Sequence, residues 1–329
     1  MLISRTPYRL SLFGGGLDYS TWYKNNSTQI LCAGLDYYCY QTVRELPPFF
    51  EHNYTVSYSK IENAKYVNDI CHPTAREVIR NYGNGKRIQI SYVGDLPARS
   101  GIGSSSAFTV GLILSVNALT KDKLLSKMDL AKLSIDLEQN HIGETIGVQD
   151  QCASSFGGFV HINAYKDNIQ AKNLLVSSDY RKYIESSLLL GFTGKQRFSS
   201  LASKKIDKAL RDDTYLSELQ ELHEISQKGI DSFLKEADIL ENARLTKLCR
   251  DIKLNLNGDK KDGEIIDLIE STEKAGSLCT RIMGAGGGGF FVCWAPPEKH
   301  ETIKQSIKVK TWVKVRISEQ GSSIIFSEK

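Results

Sequence analysis

No stretch of this 329-residue chain approaches an uninterrupted membrane span; the apolar run at 110–119 is far too short. The opening residues, Met1-Leu2-Ile3-Ser4-Arg5-Thr6-Pro7, lack the long apolar core of a secretory signal. The seven cysteines are odd in number and show no CxxC spacing, which argues against a disulfide framework or a thiolate metal site. His141 and His161 are too far apart to define a zinc site, and no His-x-x-x-His pair supports one. Charge of one sign is also scarce, since 42 Lys and Arg against 38 Asp and Glu leave only +4. Those charges are dispersed and the aromatics do not gather along a basic groove, so no nucleic-acid partner is expected. Two common phosphate signatures are missing. Gly194-Lys195 is followed by Gln196 rather than Ser or Thr, which rules out a Walker A loop, and Gly101-Ile102-Gly103 leads into serines where a dinucleotide fingerprint needs Gly or Ala. These absences predict a cytoplasmic protein with no membrane partner.

The chain is long enough for two domains, and we place them at 1–175 and 176–329. Alternating Tyr54, Val56, Tyr58 and Ile88, Ile90, Tyr92 read as half-buried strands, as do 2–12 and 35–43. Helices are expected over 74–82, from Ser105 through the run 108–119, and from Asp129, whose side chain is the expected cap. A short helix follows near Val148, then a strand at 159–164. The second half carries a strand at 188–192, mainly helix over 201–257 and 262–276, and closing strands at 290–294, 313–317 and 324–326 around a helix at 298–307. The fold class is α+β.

What the chain does have is three glycine loops. In Leu96-Pro97-Ala98-Arg99-Ser100-Gly101-Ile102-Gly103-Ser104-Ser105-Ser106-Ala107, two glycines and a serine cluster precede a strongly apolar helix. Glycines let backbone wrap a ligand, and a helix start offers unpaired N–H groups to an anion. We read the loop as a phosphate cradle built from Pro97, Ser100, Gly101, Gly103, Ser104, Ser105 and Ser106. Ser105 is the preferred magnesium-facing hydroxyl, with Ser104 and Ser106 as alternatives. The other two loops, 5–19 and 281–290, again pair glycine with cationic or polar residues. Glu138 and Asp150 are too far apart for one helix face, but the glycines between them allow both carboxylates to fold around one cleft, where magnesium favours hard oxygen ligands. Taken singly, Glu138 is equally a solvent-facing acid and Asp150 a helix cap or turn residue.

The three loops, in this order and spanning nearly the whole chain, resemble the motifs of the GHMP kinase superfamily of galactokinases, homoserine kinases, mevalonate kinases and phosphomevalonate kinases. That resemblance implies an N-terminal domain like ribosomal protein S5 domain 2 and a C-terminal ferredoxin-like α+β domain. It implies an ATP- and Mg2+-dependent phosphotransferase. Within it, Asp150 matches the acid that orients or deprotonates the acceptor hydroxyl, Arg9 the neighbouring cation, and Glu138 and Ser105 the magnesium ligands. A permanent guanidinium beside the acid stabilises negative charge on the transferring phosphoryl group. Asp18 and Tyr19 match an acceptor-binding Asp-Tyr, and Gly15, Gly16, Gly286 and Gly287 line the acceptor side; Gly15 and Gly16 stand where Glu and His are common. The pattern is closer to heptose 7-phosphate kinase and fucokinase-like members than to ordinary galactokinases. The implied reaction moves the ATP γ-phosphoryl group to the C1 hydroxyl of D-glycero-D-manno-heptose 7-phosphate, for nucleotide-activated heptose and surface-polysaccharide synthesis. A fucose-like or other hexose acceptor, and a noncatalytic nucleotide-dependent metabolite sensor, are the alternatives. A phosphorylated acceptor requires a second cationic pocket, for which Arg5, Lys195 and Arg197 are the candidates. The charged helical region 204–250 leaves a homodimer open, since no heptad repeat specifies one.

Overall fold

The computed structural model describes residues 1–121, 125–195, 199–256, 258, 262–284 and 288–328, with the side chains of 199–202 excepted. Along the chain run β1 (Leu2–Phe13), α1 (Ser20–Tyr23), β2 (Thr28–Glu45), β3 (Tyr54–Ser57), β4 (Ile61–Ala64), α2 (Pro73–Tyr82) and β5 (Ile88–Gly94). Then come α3 (Ser104–Lys121), α4 (Lys127–Asp136), α5 (Gln149–Phe156), β6 (Phe159–Tyr165) and β7 (Asn168–Asn173). The rest is α6 (Ser178–Ser186), β8 (Leu188–Phe192), α7 (Ser199–Leu210), α8 (Leu216–Leu234), α9 (Ile239–Leu256), α10 (Gly263–Lys274), β9 (Cys279–Ile282), β10 (Phe290–Trp294), α11 (His300–Ser306), β11 (Thr311–Lys314) and β12 (Ser323–Ser327). The mixture of helix and strand is the expected α+β class.

Two sheets organise these elements. The larger runs β12-β1-β2-β5-β3-β4, with β6 on β2 and β7 on β6; the smaller runs β11-β8-β10-β9. β2 is long enough to serve two neighbours on one edge, β6 along Thr28–Ala33 and β5 along Cys39–Glu45. Its other edge pairs with β1, and the register slips between Pro7 and Tyr8, where Asp36 and Tyr37 bulge out. Proline has no N–H to offer a ladder, so a break beside it costs little.

α3 is the central helix. Residues 106–117 are all buried, as a helix apolar on every side must be. It packs on β1 and β2 and against α2, α4 and α5, so its first turn is held rigidly by the core. α4 differs from expectation at its start. Ser126 is the cap, accepting the Asp129 N–H at 3.1 Å and donating its hydroxyl to the Asp129 carboxylate at 2.7 Å. The capping chemistry is the expected kind, three residues earlier. α4 then runs into a π-helical turn, Leu137–Ile142, closed by Gly143 in the left-handed region at φ 77°. Such turns concentrate at functional sites because they re-aim a side chain within a helix.

Candidate active site

The centre of the site is an ion pair between the first strand and the first turn of α5. Arg9 Nε donates to Asp150 Oδ1 at 2.6 Å and Nη2 to Oδ2 at 3.1 Å, the two-pronged geometry that fixes both planes. Its third nitrogen, Nη1, donates to the Gly101 carbonyl at 3.1 Å, and its backbone N–H to the Ile102 carbonyl at 2.8 Å. Arg9 therefore ties the acid to the glycine-serine loop. Burial alone would push its guanidinium pKa down; the adjacent Asp150 carboxylate more than reverses that, and the net shift is upward.

The two glycine loops facing each other across this pair interlock backbone to backbone. Gly101 is at φ +84°, and a Cβ there would lie 2.6 Å from the Met283 carbonyl. A Cβ on Gly289 would meet the Ser100 carbonyl at 2.5 Å, the same carbonyl that accepts the Phe290 N–H at 2.9 Å. Gly103, at φ +71°, leaves room for the acid, since a Cβ there would lie 3.0 Å from Asp150 Oδ2. Ser100 Oγ donates to the Pro97 carbonyl at 2.5 Å, and Ser104 Oγ accepts the Arg99 N–H at 3.2 Å. The loop's internal hydrogen bonds hold its shape while the α3 N-terminus stays available to an anion.

Glu138 sits behind this helix start, 1% exposed, at the head of the π-helical turn. Its carboxylate accepts from Thr109 Oγ1 at 2.7 Å, from Ser106 Oγ at 2.9 Å and from the Gln151 amide. Burial pushes its pKa up to about 7, partly opposed by those three donors. The serine placed on Glu138 is Ser106, whereas Ser105 is exposed one position earlier on the turn. A helix turns about 100° per residue, so adjacent serines cannot both face one carboxylate, and only the geometry separates them. Among the described residues no three His, Cys, Asp or Glu side chains converge to hold a metal unaided. A carboxylate with nearby hydroxyls is nonetheless the partial oxygen set that magnesium takes when substrate phosphates supply the rest. The residues fit the ion.

Asp18 lies between the first glycine loop and the start of α5. It is 1% exposed, accepts the Gly16 N–H at 2.7 Å and the Gln149 N–H at 3.4 Å, and burial raises its pKa. Gly147 leaves room for it, since a Cβ there would overlap the carboxylate. Gly15 packs on Ser11 and Gln149, while the Tyr19 hydroxyl donates to Ser203 Oγ at 3.2 Å.

Residues 66–158, which contain the serine loop, Glu138 and Asp150, match the family model of the GHMP kinases N terminal domain. The chain carries a GHMP kinase N-terminal domain. Its similarity to a D-glycero-alpha-D-manno-heptose 7-phosphate kinase of Campylobacter jejuni is 27% identity, over 93% of this chain and 92% of that one. A mevalonate kinase of Thermococcus onnurineus is 28% identical over 84% of this chain and 78% of its own length. In fold, it superimposes with a TM-score of 0.80 on a structure described as a D-glycero-D-manno-heptose 1-phosphate kinase from Bacteriodes thetaiotaomicron, at 20% identity and full coverage of both chains. The chain is thus a phosphotransferase.

Not every residue singled out in the sequence reaches this centre. Arg5 lies with its guanidinium 4.5 Å from the Tyr38 ring, and Lys195 is exposed and paired with Glu264. The Arg5 Nε is buried without a hydrogen-bond partner, whereas Lys195 is held by its own carboxylate. Arg197, Gly286 and Gly287 lie outside the described residues. Conversely, the cleft contains a lysine that sequence reading passed over. Lys253, on α9, approaches the first loop so closely that a Cβ on Gly16 would be 3.4 Å from its Cε. Its side chain is half-buried, and burial together with the like charge of Arg281 pushes its pKa down to about 8. The available signal was its position. It lies one helical turn after Cys249, on a face shared with buried Leu245, so a lysine there interrupts an apolar stripe. Arg281, 8% exposed, donates to the Ser11 carbonyl, and burial pushes its pKa down to about 10.

Proposed function

We propose that this kinase transfers the γ-phosphoryl group of ATP to the C1 hydroxyl of D-glycero-D-manno-heptose 7-phosphate. The observation carrying the transfer chemistry is the Arg9–Asp150 pair against Gly103, with bonds of 2.6 and 3.1 Å. The similarity to the Campylobacter jejuni relative supports the acceptor. Phosphoryl transfer asks a protein mainly for in-line positioning and for compensation of charge. In this reading the serine loop and the α3 N-terminus hold the nucleotide phosphates. Asp150 accepts a hydrogen bond from the acceptor hydroxyl and takes its proton as the bond to phosphorus forms. Arg9 keeps the Asp150 plane fixed through two hydrogen bonds and places positive charge beside the developing one. Asp18 and Tyr19 orient the sugar. Glu138, with Ser106, would hold magnesium, which when bound neutralises phosphate charge.

The test is an ATP-coupled assay of the purified protein on heptose 7-phosphate, fucose, galactose and mannose, with the product mapped by phosphorus NMR. Heptose 7-phosphate is expected to give the highest kcat/KM and a new phosphate on C1. Equal use of unphosphorylated sugars, or a phosphate at another carbon, refutes the proposal.

A further inference from the structure

Charge does not balance on the acceptor side of the cleft. Three cations, Arg9, Lys253 and Arg281, act on one another and on two carboxylates, Asp18 and Asp150. Asp150 is committed to Arg9 by both of its oxygens. Asp18 accepts two backbone N–H groups and acts on Lys253 only through space. Among the described residues no carboxylate lies within ion-pair distance of Lys253 or Arg281. The Arg281 Nε is also buried with no hydrogen-bond partner, in a side chain more than nine-tenths buried. A buried donor left unpaired is costly, and beside an uncompensated ammonium an anion would satisfy both.

The position separates this anion from the nucleotide. Lys253 meets the chain at Gly16, in the loop that carries Asp18, whereas nucleotide phosphates belong at the α3 N-terminus around Gly101–Ser106. Arg281 enters from β9 and reaches the Ser11 carbonyl at the end of β1, on the same side as Lys253. Lys195, by contrast, already has Glu264 and an exposed setting.

We propose that Lys253 and Arg281 form an acceptor-side subsite for a phosphate monoester carried by the sugar. This rests on the sugar-kinase reading for its substrate but not for its charge. Lys253 supplies a mobile point charge at the cleft wall, and Arg281 a fixed planar donor behind it. A phosphate here sets which sugars are accepted, because unphosphorylated ones leave both cations uncompensated.

Two measurements test it on the intact protein. The first is the kcat/KM ratio of heptose 7-phosphate to unphosphorylated heptose for wild type, Lys253→Met and Lys253→Arg. The Met variant is expected to lower that ratio about 100-fold, chiefly through the acceptor KM, with the Arg variant recovering most of it. A ratio unchanged in Lys253→Met, or a loss expressed in the ATP KM, overturns the subsite. The second is titration with inorganic phosphate at saturating ADP, followed by phosphorus NMR. Wild type is expected to bind phosphate at least tenfold more tightly than Lys253→Met, and equal affinities overturn the proposal. If no heptose phosphate is turned over but phosphate binding still depends on Lys253, the acceptor assignment fails and the anion subsite stands.

Discussion

Replacing Lys253 by methionine should stabilise the unliganded protein. The ammonium is surrounded by Arg9, Arg281, Cys249 and Asp18, and its pKa falls from the ordinary 10.5 to about 8. A gap of that size corresponds to about 3 kcal/mol by which the folded state disfavours the charged form. Because the side chain is half-buried and meets solvent at the cleft, we discount this to about 1–2 kcal/mol. Methionine keeps the length and apolar stem and removes the charge, so it should gain roughly that much near neutral pH. The pH dependence follows from the sign. Between about 8 and 10.5 the unfolded chain keeps this proton while the folded chain has lost it. Wild-type stability therefore rises with pH across that window relative to the variant, and the advantage of Lys253→Met shrinks. Urea denaturation of both proteins at pH 7 and pH 10 measures the difference, and groups common to both cancel. A variant less stable than wild type at pH 7, or an advantage that does not shrink at high pH, refutes the reasoning.

Two further outcomes follow from the site. Asp150→Asn preserves size but removes the charge that Arg9 grips, so kcat should fall about 10²- to 10⁴-fold. Nucleotide affinity measured by calorimetry should stay within a few-fold, and near-wild-type turnover would exclude Asp150 from the reaction. Gly101→Ala places a methyl 2.6 Å from the Met283 carbonyl at a positive φ. It should cost about 1–3 kcal/mol of stability and weaken ATP binding together, and a silent substitution in both assays would show that the loops do not bear on each other.

Much of this architecture was legible from patterns, because burial imposes period on sequence. The run 108–119 had to be a buried helix, and the alternations at 54–58 and 88–92 had to be strands. What escaped was short, polar or tertiary. β7, with residues such as Asn168, Gln170 and Lys172, has too little apolar surface to announce a strand and exists because β6 offers an edge. β4 is similar, since Glu62 and Asn63 interrupt it. At the site, the loops stood out because glycine and serine clusters are rare beside apolar helices, whereas Glu138 and Asp150 were singled out by the family resemblance. Ser106 rather than Ser105 on Glu138 is a matter of helical phase that sequence does not resolve. Lys253 was hidden for a different reason. Its neighbourhood reads as a solvated charged helix, and although it shares a face with Leu245 and Cys249, it is the approach of Gly16, more than two hundred residues away, that places it in the cleft.

The closing strand β12 does not stay with the smaller sheet that precedes it. It returns to hydrogen-bond with Leu2–Arg5 of β1, and the amino terminus donates to the Glu328 carbonyl. The two halves are therefore sewn together at the chain's extremities, while the cleft opens between their middles. Cutting such a molecule near residue 175 would strip a strand from the first sheet and leave its rim of N–H and C=O groups bare, inviting self-association. Parting the halves at this seam would cost a ladder of backbone bonds, and further backbone bonds from 316–322 to Gly34, Asp36, Ser154 and Gly158 reinforce it.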